Sequence, residues 1–64
     1  MFTIRVTNSY NDTATYYENE ECFLNEIRRI ANECDASIRF DDEYGPTYIL
    51  ENEYGYAEYF IEEC

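Results

Sequence analysis

The sequence contains no lysine, histidine or tryptophan, and four arginines are its only cationic side chains. Without histidine and lysine, it lacks the most common general base and the amine that forms Schiff bases. Neither Ser9 nor Ser37 has a visible activating partner for nucleophilic attack. Paired carboxylates can serve a glycosidase or a metal-assisted hydrolase, but a chain of 64 residues leaves little room for a substrate pocket. We therefore predict that the protein is not an enzyme.

Long apolar segments are also missing. No run of about 18 apolar residues, the length that indicates a membrane-spanning helix, occurs in the chain. The first ten residues hold neither the basic segment nor the apolar stretch of a signal peptide. We therefore expect a cytoplasmic protein.

Cysteine is sparse and odd in number, with only Cys22, Cys34 and Cys64. An odd count without a signal peptide argues against a disulfide framework, and zinc sites usually need histidine or a paired C-x-x-C motif. We expect Cys22 and Cys34 to be small, buried hydrophobic residues. Residues 41–45 are acidic but lack the ligand spacing of a calcium-binding loop. We therefore predict no metal and no other cofactor.

Negative charge and aromatic side chains are abundant. Fifteen Asp and Glu residues give a net charge of −11, and eight Tyr and four Phe provide large apolar surfaces. An acidic chain with few aromatics would suggest disorder, whereas this composition predicts a folded protein with one domain over residues 1–64. Because such a protein repels phosphate, we predict that it binds basic protein surfaces and not nucleic acid directly.

Hydrophobic periodicity predicts five strands and one helix. Strands are expected at residues 2–8, 13–17, 37–41, 47–51 and 56–61, where apolar and polar residues alternate or β-formers cluster. A helix is expected between them, with Asn19 as its N-cap and its end near Glu33 or Cys34. The fold class is therefore α+β, in the order ββαβββ. One helix covers one face of a small antiparallel sheet and leaves the other face open.

A short motif occurs twice, ten residues apart, as DEYG at residues 42–45 and NEYG at residues 52–55. Asp or Asn at the first position and Gly at the fourth are typical of a type I turn that closes a hairpin with a bulge. We therefore predict two hairpin turns at opposite ends of a three-stranded meander. Tyr44 and Tyr54, at the centres of these turns, are expected to be exposed.

The distribution of carboxylates suggests a site. Residues two apart on a strand point the same way about 6.6–6.8 Å apart, so carboxylates on a rigid sheet can approximate a row of phosphates. We expect the four arginines, Arg5 and Arg39 on strands and Arg28 and Arg29 on the helix, to neutralise the nearest carboxylates. The residues predicted to contact a partner are Glu18, Glu20, Glu21, Asp41, Asp42, Glu43, Tyr44, Glu51, Glu53, Tyr54 and Glu58.

In length, charge, absence of lysine and aromatic-rich α+β pattern, the chain resembles small acidic DNA-mimic inhibitors encoded by phages and mobile elements. These include anti-restriction proteins, uracil-DNA glycosylase inhibitors and several anti-CRISPR proteins. The resemblance covers the whole chain, matches no family motif, and implies inhibition by occupying a basic DNA-binding surface, such as that of a Cas nuclease. The segment from Asp41 to Tyr44, with three consecutive carboxylates, is the favoured contact. The alternative is an acidic interaction module, such as an antitoxin or adaptor, whose partner uses a basic patch unrelated to nucleic acid.

Overall fold

The computed structural model describes residues 1–64 and contains one helix and five strands. In chain order, the elements are β1 (Ile4–Asn8), β2 (Thr13–Tyr17), α1 (Glu20–Cys34), β3 (Ser37–Asp41), β4 (Thr47–Asn52) and β5 (Gly55–Glu63). This order confirms the predicted ββαβββ pattern and the α+β class. At 15 residues, α1 is too short and too polar to span a membrane.

The five strands form a single antiparallel sheet in the order β2-β1-β5-β4-β3. Strands β3, β4 and β5 make the predicted meander, and the N-terminal hairpin joins it because β1 pairs with β5. Strands β2 and β3 are therefore the two edges of the sheet. The helix, which connects them in the chain, crosses one face from the edge at β2 toward the edge at β3.

The core lies between this helix and the sheet. Phe23 and Ile27 of α1 are each only 1% exposed, and they pack with Ile4, Val6 and Leu50 from the sheet. Burying side chains of this size stabilises the fold by about 1.5–3 kcal/mol each. The Phe23 ring contacts three tyrosine rings, with centroid distances of 5.4–5.9 Å, and these rings belong to Tyr17, Tyr48 and Tyr59.

The bounds of the helix follow from its caps. The Asn19 side-chain oxygen accepts a hydrogen bond of 2.9 Å from the Cys22 backbone N–H, which confirms Asn19 as the N-cap. The helix ends at Cys34 because Asp35 adopts a left-handed conformation, with φ at 53°. The Asp35 backbone N–H donates to the Ala31 carbonyl and so closes the last turn.

The prediction that Cys22 and Cys34 are buried is wrong, because both are exposed. Cys22 lies in the first turn, where its backbone N–H serves the cap and its side chain faces solvent. Cys34 continues the apolar stripe of the helix in sequence, but it lies in the last turn and lines an open groove. The stripe therefore extends one turn beyond the packed core.

The antiparallel strands give the molecule two distinct ends. The N-cap end, named after Asn19, is where α1 begins and β2, β3 and β5 finish. The C-cap end, named after Asp35, is where α1 finishes and the β1–β2 loop and the β4–β5 turn lie. The residues predicted to contact a partner lie at these two ends and on the sheet face that α1 leaves uncovered.

Candidate partner-binding surfaces

Most of the negative charge has no cationic partner. Of the 15 carboxylate side chains, four are in ion pairs, which leaves eleven unpaired. Ten of these eleven belong to exposed residues, and the eleventh, Glu58, is half-buried. Among the nine acidic residues predicted to contact a partner, only Glu21 is in an ion pair, at 3.9 Å from Arg28. Eight of the nine predicted acidic residues therefore have no cationic partner within the protein, and the same is true of Asp12, Asp35 and Glu63, which were not predicted.

The N-cap end gathers both of the predicted acidic triplets. The first triplet is Glu18, Glu20 and Glu21, where β2 leads into α1, and the second is Asp41, Asp42 and Glu43, where β3 finishes. They lie at the two edge strands, four strand spacings or about 19 Å apart across the sheet. The final residues of β5, Glu62 and Glu63, lie between them at the same end. The two triplets share this end because β2 and β3 both finish there in the antiparallel sheet.

The β3–β4 connection holds its carboxylates in a defined turn. The Asp41 carboxylate accepts a 2.9 Å hydrogen bond from the Glu43 backbone N–H, and the Asp42 carbonyl accepts one of 3.3 Å from the Gly45 N–H. Gly45 has φ at +108°, a conformation that side chains with a Cβ rarely adopt, so glycine is required there. Tyr44 is 91% exposed, which confirms its predicted position at the tip.

The β4–β5 turn is tied to the end of the helix. Asn52 pairs with Gly55 across the turn, and its side-chain oxygen accepts a 2.8 Å hydrogen bond from the Tyr54 N–H. The Asn52 side-chain amide donates to the Cys34 carbonyl at 3.1 Å, which satisfies one orphan carbonyl of the helix terminus. Tyr54 is 89% exposed, as predicted. The two turns lie at opposite ends of the meander, so Glu53 and Tyr54 are remote from the acidic triplets.

The open face of the sheet carries a smaller acidic group. Glu51 is opposite Tyr56, and Glu58 is opposite Ile49, so the two carboxylates are diagonal neighbours on adjacent strands. Diagonal neighbours lie about 7–8 Å apart. Together with Tyr56, Ile49 and Arg39 they line a shallow cleft. The two-residue spacing of Glu51 and Glu53 would place both on one face of a strand, but Glu53 lies in the turn after β4. The carboxylate that shares the face of Glu51 is that of Glu58.

Three of the four arginines make ion pairs. Arg5 lies 3.2 Å from Glu62 across the β1–β5 pair, and Arg29 bridges Glu26 at 2.6 Å and Glu33 at 2.8 Å. The hydrogen bond from Arg29 lowers the pKa of Glu26 below its ordinary value. Such exposed pairs stabilise by about 0.2–1 kcal/mol each.

The prediction that every arginine neutralises a nearby carboxylate is wrong for Arg39. Its side chain shares the cleft with Glu51 and Glu58 but has no carboxylate oxygen within ion-pair distance. It is also remote from Arg5, because β5 and β4 lie between their strands. The open face therefore presents an arginine available to a partner beside two available carboxylates.

The C-cap end has a feature that the sequence did not reveal. A groove of about 320 Å³ opens between the end of α1, the β4–β5 turn and the β1–β2 loop. Its lining is predominantly apolar and includes Ile30, Cys34, Leu50 and Tyr59. The small residues Ala36, Gly55 and Ala57 are the one sequence signal that could have indicated it, since they leave room where larger side chains would fill the corner.

Comparison with known proteins gives no assignment: no protein-family model matches the chain, and no curated protein or solved structure is significantly similar to it. No group of three or more carboxylate or thiol side chains is arranged to hold a metal ion. The exposed surfaces are therefore the features from which a function can be inferred.

Proposed function

We propose that the protein is a DNA-mimic inhibitor that binds the basic nucleic-acid-binding surface of a bacterial defence nuclease. The proposed target class is a Cas nuclease or effector complex, so that the protein acts as an anti-CRISPR and blocks binding of target DNA. It acts in the cytoplasm of the host bacterium, by occupancy alone, and neither catalysis nor a cofactor is part of the proposal.

The observation that carries this proposal is the set of eleven carboxylates without a cationic partner. Unpaired charges of one sign repel one another and destabilise the folded chain, so their retention is explained when a partner supplies the opposite charge. Six of the eleven, including Asp41, Asp42 and Glu43, lie at the N-cap end. Basic channels of RNA-guided nucleases hold nucleic acid through its backbone phosphates, and these carboxylates offer the same charge.

The rigidity of the turn supports the same proposal. The hydrogen bonds inside the β3–β4 connection fix the Asp41 carboxylate and the backbone at Glu43 relative to the sheet, so little conformational entropy is lost when a partner binds Asp41. The exposed Tyr44 ring beside them suits stacking on a guanidinium group. An arginine that normally contacts DNA bases could therefore pair with a carboxylate of this turn and stack on the Tyr44 ring.

The alternative function is an acidic protein-interaction module, such as an anti-restriction protein, an antitoxin or an adaptor, that binds a basic partner surface. The exposed Tyr54 and the apolar groove at the C-cap end favour it, because DNA mimicry alone requires neither. Aromatic residues and apolar pockets are typical of protein–protein contacts of any kind.

A pull-down distinguishes the two functions. The tagged protein is incubated with a purified Cas nuclease and its guide RNA, with and without an excess of matching target DNA. The DNA-mimic proposal predicts that the nuclease is captured without DNA and lost when DNA saturates it. Equal capture in both conditions would instead support an interaction module that binds away from the DNA site.

A further inference from the structure

The groove at the C-cap end combines an apolar interior with an acidic surround. Asp35 follows Cys34 and precedes Ala36, and Glu53 precedes Tyr54, so each carboxylate adjoins lining residues in the chain. Both carboxylates are exposed and unpaired. The last turn of α1 contains no basic residue to offset the partial negative charge of the helix C-terminus. The groove therefore lies in a negative field without a cation among its lining residues.

The interior of the groove is large enough for one amino-acid side chain. Its floor includes Leu50, which is 8% exposed, and its walls include Ile30 and Tyr59. Tyr10 and Tyr54, which are 81% and 89% exposed, stand at its rim. A volume of about 320 Å³ is at the lower limit of ligand pockets and accommodates one large side chain. Tyrosines at a rim provide contact area together with hydroxyl groups for hydrogen bonds.

We propose that this groove binds a single large apolar side chain that the partner presents between arginine or lysine residues. The apolar side chain enters the groove, and the flanking cations approach Asp35 and Glu53. This inference rests on the proposed function, because that function makes the partner a basic protein. The apolar side chain in the groove would contribute affinity, because binding energy at interfaces is concentrated in side chains that fill desolvated pockets. The exposed charges would contribute mainly to the association rate.

The cysteines provide a test that needs no nuclease. Replacing Cys22 and Cys64 by serine leaves Cys34, in the groove, as the only thiol, and replacing Cys34 and Cys64 leaves Cys22 as the matched control. All three positions are exposed, so the fold tolerates both double variants. The rate of thiol alkylation by iodoacetamide, which is uncharged, then reports whether the groove is covered.

Three capped pentapeptides serve as probes. The first has tryptophan at its centre, glycine on either side and arginine at both ends. The second has alanine in place of tryptophan, and the third has glutamate in place of the arginines. With the first peptide at about four times its Kd, alkylation of Cys34 should be about fivefold slower, because protection follows 1 + [L]/Kd. Alkylation of Cys22 should be unchanged, and the other two peptides should give no protection at the same concentration.

Each alternative result overturns the inference in a different way. Equal protection of Cys22 and Cys34 would mean that the arginines bind the acidic surface without using the groove. Protection by the glutamate peptide would mean an apolar pocket with no preference for a basic segment. Protection that persists when Ala57→Leu fills the groove would place the peptide elsewhere. These outcomes concern the groove alone, whereas the proposed DNA mimicry fails only if target DNA does not compete with the protein.

Discussion

At the residue scale, the fold depends on a few positions with special backbone or packing requirements. Asp35 is one of them, because it closes α1 in a left-handed conformation that favours glycine. Its carboxylate also lies at the negative end of the helix dipole and has no hydrogen-bond or ion-pair partner. It is therefore a poor residue for stability at this position, although the groove proposal gives it a use in binding.

Asp35→Gly should stabilise the protein by about 1 kcal/mol, because glycine adopts the left-handed conformation freely and removes the unfavourable charge. Asp35→Asn should give a smaller gain of about 0.3–0.5 kcal/mol, since asparagine removes only the charge. Urea unfolding at pH 7 measures both differences. A loss of stability in the glycine variant would contradict this account of the cap.

Three half-buried tyrosines make stability depend on pH in the alkaline range. Partial burial raises the pKa of Tyr17, Tyr48 and Tyr59 above the ordinary value of 10.0. The negative charge of Glu26 raises the pKa of Tyr17 further, and that of Glu20 raises the pKa of Tyr48 further. Because the folded state holds these protons more tightly than the unfolded state, their contribution is complete below pH 10.0 and is lost as the pH rises above it.

The free energy of unfolding should therefore fall as the pH rises from about 10 to about 11. The triple variant Tyr17→Phe, Tyr48→Phe, Tyr59→Phe retains the rings and should lose less stability over this range. Urea unfolding at several pH values measures the slope for both proteins. Equal slopes would show that the alkaline loss comes from general charge repulsion and not from these three hydroxyl groups.

At the scale of the elements, local patterns in the sequence predicted most of the secondary structure. The cap at Asn19 defined the start of α1, and the two Gly-ended motifs located the turns that flank β4. Three features could not be predicted this way. The first is the pairing of β1 with β5, which joins residues almost the whole chain apart. The second is the exposure of Cys34, which depends on how far the helix overlies the sheet. The third is the position of Arg39 away from Arg5, which depends on the order of the strands in the sheet.

The sheet order also changed the candidate site. In sequence, the triplets Glu18, Glu20, Glu21 and Asp41, Asp42, Glu43 are more than one element apart, and nothing local relates them. Because β2 and β3 finish at the same end of an antiparallel sheet, the fold places both triplets at the N-cap end. Glu53 and Tyr54 lie at the opposite end, beside the groove, which confirms the predicted placement of the two turns at opposite ends of the meander.

Reversing charge in the β3–β4 turn should weaken binding to the nuclease by about 100-fold or more, because cations would then face a basic surface. The variant Asp41→Asn, Asp42→Lys, Glu43→Lys retains a side-chain oxygen at residue 41 to accept the Glu43 backbone hydrogen bond. Its stability should not fall, since it relieves repulsion within the acidic chain. Titration calorimetry measures the affinity, and urea unfolding checks the fold.

The matched control makes the same +5 change in charge away from both the N-cap end and the groove, with Asp12→Lys, Glu33→Lys and Glu26→Gln. If the N-cap end is the mimic surface, this control should weaken binding far less than the turn variant. Equal losses from both variants would indicate that net charge alone determines affinity, and would contradict a defined contact surface at the N-cap end.

At the scale of the whole molecule, the protein combines a small fold with a net charge of −11. A core of a few residues between α1 and the sheet is sufficient to hold it together, and eleven carboxylates remain unpaired on its surface. The ends differ in character: the N-cap end offers two acidic triplets, whereas the C-cap end offers an apolar groove with an acidic surround. A partner that engages both ends would gain charge complementarity from one and an apolar anchor from the other.

A competition titration shows whether the protein occupies the DNA-binding surface of the nuclease. The affinity of the protein for a guide-loaded Cas nuclease is measured at increasing concentrations of matching target DNA, at constant ionic strength. If the protein occupies the DNA-binding surface, its apparent Kd should rise in proportion to the DNA concentration once DNA exceeds its own Kd. An apparent Kd that stays constant while DNA saturates the nuclease would contradict DNA mimicry.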